Sequence, residues 1–141
     1  VLVAEILKDK GGEVFSISPQ ITLSEACAEL DGRRVGALIV CDGDKVVGVI
    51  SERDVVRAVA ADGTSSLDRP VSDYMTRNVI FAEPGETVAI LMERMTDRRI
   101  RHLPVMEGGK VVGMISIGDL VKAVIEEQQQ TIEQLETYIH S

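Results

Sequence analysis

The sequence predicts an α+β fold made of two related β-α-β-β-α repeats, packed sheet to sheet about a pseudo-twofold axis, with an extended C-terminal helix. Three observations carry this. Residues 14–59 align with residues 79–124 without a gap, roughly two in five positions being identical. Both copies hold the same order of apolar periodicities. Both also contain the phrase Gly–apolar–Ile–Ser–x–x–Asp, as "GVISERD" at 48–54 and "GMISIGD" at 113–119.

Each element follows from local chemistry. Short helical leads, "VAEIL" and "VSDYM", precede the copies. A first strand is expected at Val14–Ile17 and again at Val79–Phe81. Each ends near a proline, Pro19 or Pro84, which cannot donate to a central ladder. Thr22 and Thr87 are placed to cap the next helix. Its buried face is Leu23, Ala26, Cys27 and Leu30 in one copy and Val88, Leu91, Met92 and Met95 in the other, both at helical spacing. Two β-rich runs then flank Asp-Gly or Gly-Gly, the signal of a hairpin. A second helix starts directly after Ser51 or Ser116. The divisions are residues 1–62 and 71–125 for the repeats, 63–70 for a small, polar linker, and 126–141 for the helix extension. Neither repeat has the size to stand alone comfortably.

Composition narrows the function. Apolar residues make up 45% of the chain, which excludes disorder, while a net charge of −8 argues against a nucleic-acid surface built on clustered Lys and Arg. No apolar run reaches bilayer-spanning length and no signal pattern opens the given sequence, which starts at Val1 rather than Met, and membrane insertion is not expected. The two cysteines, Cys27 and Cys41, read as reduced packing residues of a cytoplasmic protein. His102 and His140 offer no metal cluster, and no nucleophile elbow, Walker loop or zinc spacing is present. No metal, no catalytic residue and no enzymatic activity are expected.

Ser–x–x–Asp has two readings. In the simpler one it is a capping box, serine and carboxylate satisfying each other's backbone N–H at a helix start. In the other it is a nucleotide cradle. The helix N-terminus at the end of a strand favours an anion, and an ionised Asp, acceptor-only, suits the vicinal hydroxyls of a ribose. The preceding glycine permits close approach of a ligand or a neighbouring backbone.

With these motifs, and with "MTRNVIFAEPGETV" and "RHLPVMEGGKVVGMIS", the chain resembles a tandem pair of cystathionine-β-synthase (CBS) domains, a Bateman module. The resemblance covers about Val3 to Ala123 and implies binding of an adenosyl ligand: commonly AMP, ADP or ATP, in some members NAD or S-adenosylmethionine. It implies clefts that combine both copies. One would use Ser51, Arg53 and Asp54 with Thr76, Asn78, Val79, Arg101, His102 and Pro104. The other would use Ser116 and Asp119 with Val14, Phe15, Gly36, Ala37 and Leu38. On this reading only the Asp54 cleft has a side-chain cation for phosphate, because Gly36–Ala37 stands where the other copy has Arg101–His102, and Gly118 replaces Arg53.

The expected function is a stand-alone adenine-nucleotide sensor that signals to a regulated protein in trans; the alternative is a non-catalytic dimerisation scaffold with vestigial clefts. Beyond the repeats, Val121, Ile125, Gln128, Ile132, Leu135 and Ile139 step by four and three, a heptad stripe with one polar member. It would zip to a second helix, or fold over its own domain or a mate. With the resemblance, it points to a homodimer.

Overall fold

The computed structural model describes residues 1–140. The element order is α1 (Val3–Lys10), β1 (Ser16–Ile17), α2 (Leu23–Arg33), β2 (Ala37–Asp42), β3 (Lys45–Ser51), α3 (Glu52–Asp62), two 3₁₀ segments (Gly63–Asp68 and Val71–Asp73), α4 (Val88–Arg98), β4 (His102–Glu107), β5 (Lys110–Ser116) and α5 (Ile117–His140). The two β-α-β-β-α repeats are present as expected.

The first strands are shorter than the sequence reading and lie nearer the proline. Only Ser16–Ile17 pairs, parallel to Ile39–Val40. In the second repeat Val79–Phe81 forms no strand; its counterpart is a single parallel bridge, Ala82 to Val105. A sheet is therefore three-stranded in one repeat and two-stranded in the other. Pro19 and Pro84 leave little room for a ladder before the helix begins.

The hairpins β2–β3 and β4–β5 are antiparallel and alike. Ala37 opposes Ser51, His102 opposes Ser116, and each carries a register shift, at Val40/Cys41 and at Val105/Met106. Gly108 and Gly109 both take positive φ, as tight strand-to-strand turns of the primed type require. Ala37 to Val40 are all buried, consistent with a strand covered on both faces.

Helices α2 and α4 start on Thr22 and Thr87, whose hydroxyls accept from Glu25 N and Ile90 N. Leu23, Ala26 and Leu30 are buried, as are Val88, Leu91 and Met95; Cys27 and Met92 sit half-buried at the edge of the same stripe. Both helices end on an arginine in the left-handed region, Arg34 and Arg99 at φ 54, where glycine is the commoner choice. Arg33 pairs with Glu29 at 2.7 Å and stacks over the Phe15 ring.

The chain divides into two compact units that do not coincide with the sequence repeats. One is Val14–Ile80; the other joins Val1–Glu13 to the chain from Phe81 onward. Each lead segment thus belongs with the other repeat's body. Val71 and Met75 are buried in the core of Leu23, Leu30, Leu38 and Ile50. The segment 63–70, between the repeats, is ordered. It forms a 3₁₀ turn with Ser66 fully buried, its hydroxyl donating to the Gly63 carbonyl. Asp62 at the end of α3 accepts from Tyr74 Oη at 2.7 Å and lies 3.8 Å from the Arg69 guanidinium, which also pairs with Asp73 at 3.0 Å.

Candidate functional site

Both Ser–x–x–Asp motifs are capping boxes. Ser51 Oγ accepts from Asp54 N at 3.3 Å, and Asp54 Oδ2 accepts from Ser51 N at 2.9 Å. Ser116 Oγ accepts from Asp119 N at 3.1 Å, and Asp119 Oδ2 accepts from Ser116 N at 2.8 Å. The cap uses one oxygen of each carboxylate. Asp54 Oδ1 accepts from Thr76 Oγ1 at 3.2 Å. Asp119 Oδ2 takes both the Ser116 N–H and the Lys10 ammonium. Capping and ligand reading are compatible, because a carboxylate has about four acceptor sites and the cap consumes only part of them.

The strands fix where each serine sits. In the Val14–Ile80 unit, Glu52 N donates to the Gly36 carbonyl at 3.0 Å and Ala37 opposes Ser51. In the other unit, Ile117 N donates to the Arg101 carbonyl at 2.8 Å and His102 opposes Ser116. Gly36 and Ala37 therefore flank Ser51, and Arg101 and His102 flank Ser116, within their own units.

The glycine of each motif makes room for a lead segment, its backbone and a methionine at Gly48 and a leucine side chain at Gly113. A Cβ on Gly48 would lie 2.7 Å from Met75 Sδ and 2.9 Å from the Thr76 carbonyl oxygen. On Gly113 it would strike the Leu7 side chain. Of the two uses that sequence allowed, the neighbouring lead segment takes this space. The same approach lets Thr76 bond Val49 in both directions, at 2.9 and 3.0 Å, which brings its hydroxyl to Asp54.

Lys10 is the residue that sequence reasoning missed. From the last turn of α1 its Nζ donates to Asp119 Oδ2 at 2.7 Å and to the Met114 carbonyl at 2.8 Å. The expectation that the Asp119 motif lacks a cation is thereby corrected. Burial acts to raise the Asp119 carboxyl, but the Lys10 ammonium and the Ser116 N–H outweigh it and hold the group below its ordinary range. Asp119 is ionised at neutral pH.

The remaining expected residues divide between the units. Ser51, Arg53, Asp54, Thr76, Asn78 and Val79 share one unit with Val14, Phe15, Gly36, Ala37 and Leu38. Arg101, His102, Pro104, Ser116 and Asp119 share the other. Arg53, Arg101, Thr76 and Asn78 are exposed; Leu38 and Pro104 are buried within their hairpins. Burial raises both cysteine thiols, in keeping with packing rather than reactivity. Among the described residues no group of His, Cys, Asp and Glu is arranged to hold a metal, and no helix is long and apolar enough to cross a membrane.

The fold and these two corners define a duplicated α+β module with a helix-capping carboxylate at each equivalent position. Residues 3–61 and 71–126 both match the CBS domain model, and the chain belongs to that family as a tandem pair. CBS pairs are regulatory and non-catalytic. The chain is 34% identical over 97% of its length to the mitochondrial CBS domain-containing protein CBSX3 of Arabidopsis thaliana, covering 71% of that protein. The structure is similar to that of the CBS-domain protein ATU1752 from Agrobacterium tumefaciens, with TM-score 0.86 and 43% identity over 87% of this chain and 98% of that one. It is also similar to the CBS domain pair of protein MJ0100, solved in complex with 5-methylthioadenosine and S-adenosyl-L-methionine. There the TM-score is 0.78 and identity 26%, over 90% of this chain and 98% of that one.

Proposed function

We propose that this CBS pair is an adenine-nucleotide sensor, binding AMP or a related adenosyl ligand (ADP, ATP or NAD) through ribose contacts at Asp54 and Asp119. Occupancy is passed to a regulated protein in trans, in a reducing, cytoplasmic setting suited to its free thiols. One observation carries the reading: in both repeats Oδ2 of the aspartate caps the helix while Oδ1 keeps acceptor capacity. A protein with the same fold, MJ0100, was solved with two adenosyl ligands, which share the ribose that such a carboxylate recognises. Lys10 gives the Asp119 corner a positive charge that could meet a phosphate or compete with the ribose for the carboxylate. An order of filling based on a missing cation is therefore not supported.

Calorimetric titration with AMP tests the reading. Asp54→Ala should weaken binding at its own corner by about 1.5–3 kcal/mol, the scale of hydrogen bonds to a charged group, with Asp54→Asn in between. A melting curve for each variant separates this from loss of the helix cap. Unchanged affinity in a folded Asp54→Ala protein would remove this aspartate from the site.

A further inference from the structure

Helix α5 runs 24 residues, from Ile117 to His140, and leaves the body of its unit after its first turns. Leu120 is fully buried, but every residue from Ile125 to His140 is exposed. Ile125 is 57% exposed, Ile132 54%, Leu135 56% and Ile139 74%. The helix does not fold back on its own domain.

The stripe has a specific character. If Ile125, Ile132 and Ile139 take the a positions, Val121, Gln128 and Leu135 take d. Isoleucine at all three a positions suits a two-stranded parallel seam, with Leu135 the one leucine at d beside Val121 and Gln128. The net charge of −8 opposes self-association, yet the seam avoids it. Glu126, Glu127 and Glu133 fall on the outer b and c positions. The g positions are Val124, Thr131 and Tyr138, so Glu136, the one acid at e, meets Thr131 of the second copy rather than another acid. Gln128 chooses the orientation. In a parallel, in-register pair it meets its own copy, and the two amides can bond each other. In an antiparallel pair it is set against an isoleucine, and its amide is left unsatisfied. The first turns of α5 are already held by the folded unit, which removes the costly helix nucleus that weakens short free coiled coils.

We infer that residues 121–139 of two copies form a parallel, in-register, two-stranded coiled coil, holding two CBS pairs side by side. This surface is independent of the ligand reading. Its test is light scattering on the full chain together with cysteine cross-linking. The wild type should show twice the monomer mass at tens of micromolar, and Leu135→Glu should be monomeric with its melting curve otherwise kept, since Leu135 touches no core. Under mild oxidation Gln128→Cys should give a disulfide-linked dimer. Gln130→Cys on the outer face, and the wild type with only Cys27 and Cys41, should not. A monomeric wild type, a dimer that survives Leu135→Glu, or equal cross-linking at 128 and 130 would overturn the inference.

Discussion

Asp119 and Lys10 show how far single residues could be read. Ser51, Asp54, Ser116 and Asp119 were legible because serine and carboxylate at that spacing have few physical uses, and the structure realises the capping use in both copies. Lys10 was not legible. It precedes Gly11-Gly12, follows no periodicity, and meets a partner 109 positions away. No local rule pairs residues so distant. The contact has a pH signature. A carboxyl whose folded-state pKa is depressed contributes stability that is present above its unfolded pKa and lost as pH falls through the folded value. For Asp119 that window lies below about pH 4. Without Lys10, burial would act unopposed by a cation and the depression would shrink. Lys10→Met should therefore melt below the wild type at neutral pH, with the gap narrowing as pH falls from about 5 to 2. Glu86, also depressed, by its hydrogen bonds from Arg94, supplies an acid-labile background common to both proteins. A gap that stays constant across that range would show that the ion pair does not contribute.

At the scale of elements, helix faces and hairpins were read correctly because each declares itself within a dozen residues. The first strands were not. A two-residue parallel pairing and a one-residue bridge depend on where a partner strand lies, and Val79–Phe81 has β-forming residues with no ladder to join. The order within the segment 63–70 was hidden for a related reason. Its Gly, Thr and Ser suit a linker, yet Ser66 closes a buried 3₁₀ turn with its own hydrogen bond. Gly48 shows how an element's packing can turn on one missing atom. Because Met75 and the Thr76 carbonyl occupy the space where a Cβ would stand, Gly48→Ala must move a backbone as well as the Met75 side chain. Its expected cost is about 1–3 kcal/mol, measurable by urea denaturation. An unperturbed midpoint would mean that the Met75–Thr76 lead is held too loosely to matter.

For the whole molecule, the duplication was plain in the sequence, but the exchange of lead segments was not. The unit from 14 to 80 takes its core residues Val71 and Met75 from the lead of the second repeat, while α1 joins the chain from Phe81 onward. Sequence repeats mark what was copied, whereas compact units mark what packs, and short leads can serve either body. The same exchange brings Thr76 to Asp54 and Lys10 to Asp119, so the two corners differ although their motifs match. What they share is a carboxylate with one oxygen committed to the helix cap, and the proposed function gives the other to a ribose. Paired titrations with adenosine and 2′,3′-dideoxyadenosine test that claim most directly. Adenosine should bind at least about tenfold more tightly, since two hydroxyl contacts to a charged acceptor are lost in the dideoxy compound. Equal affinity for the two nucleosides, or no binding of either, would contradict ribose recognition by Asp54 and Asp119.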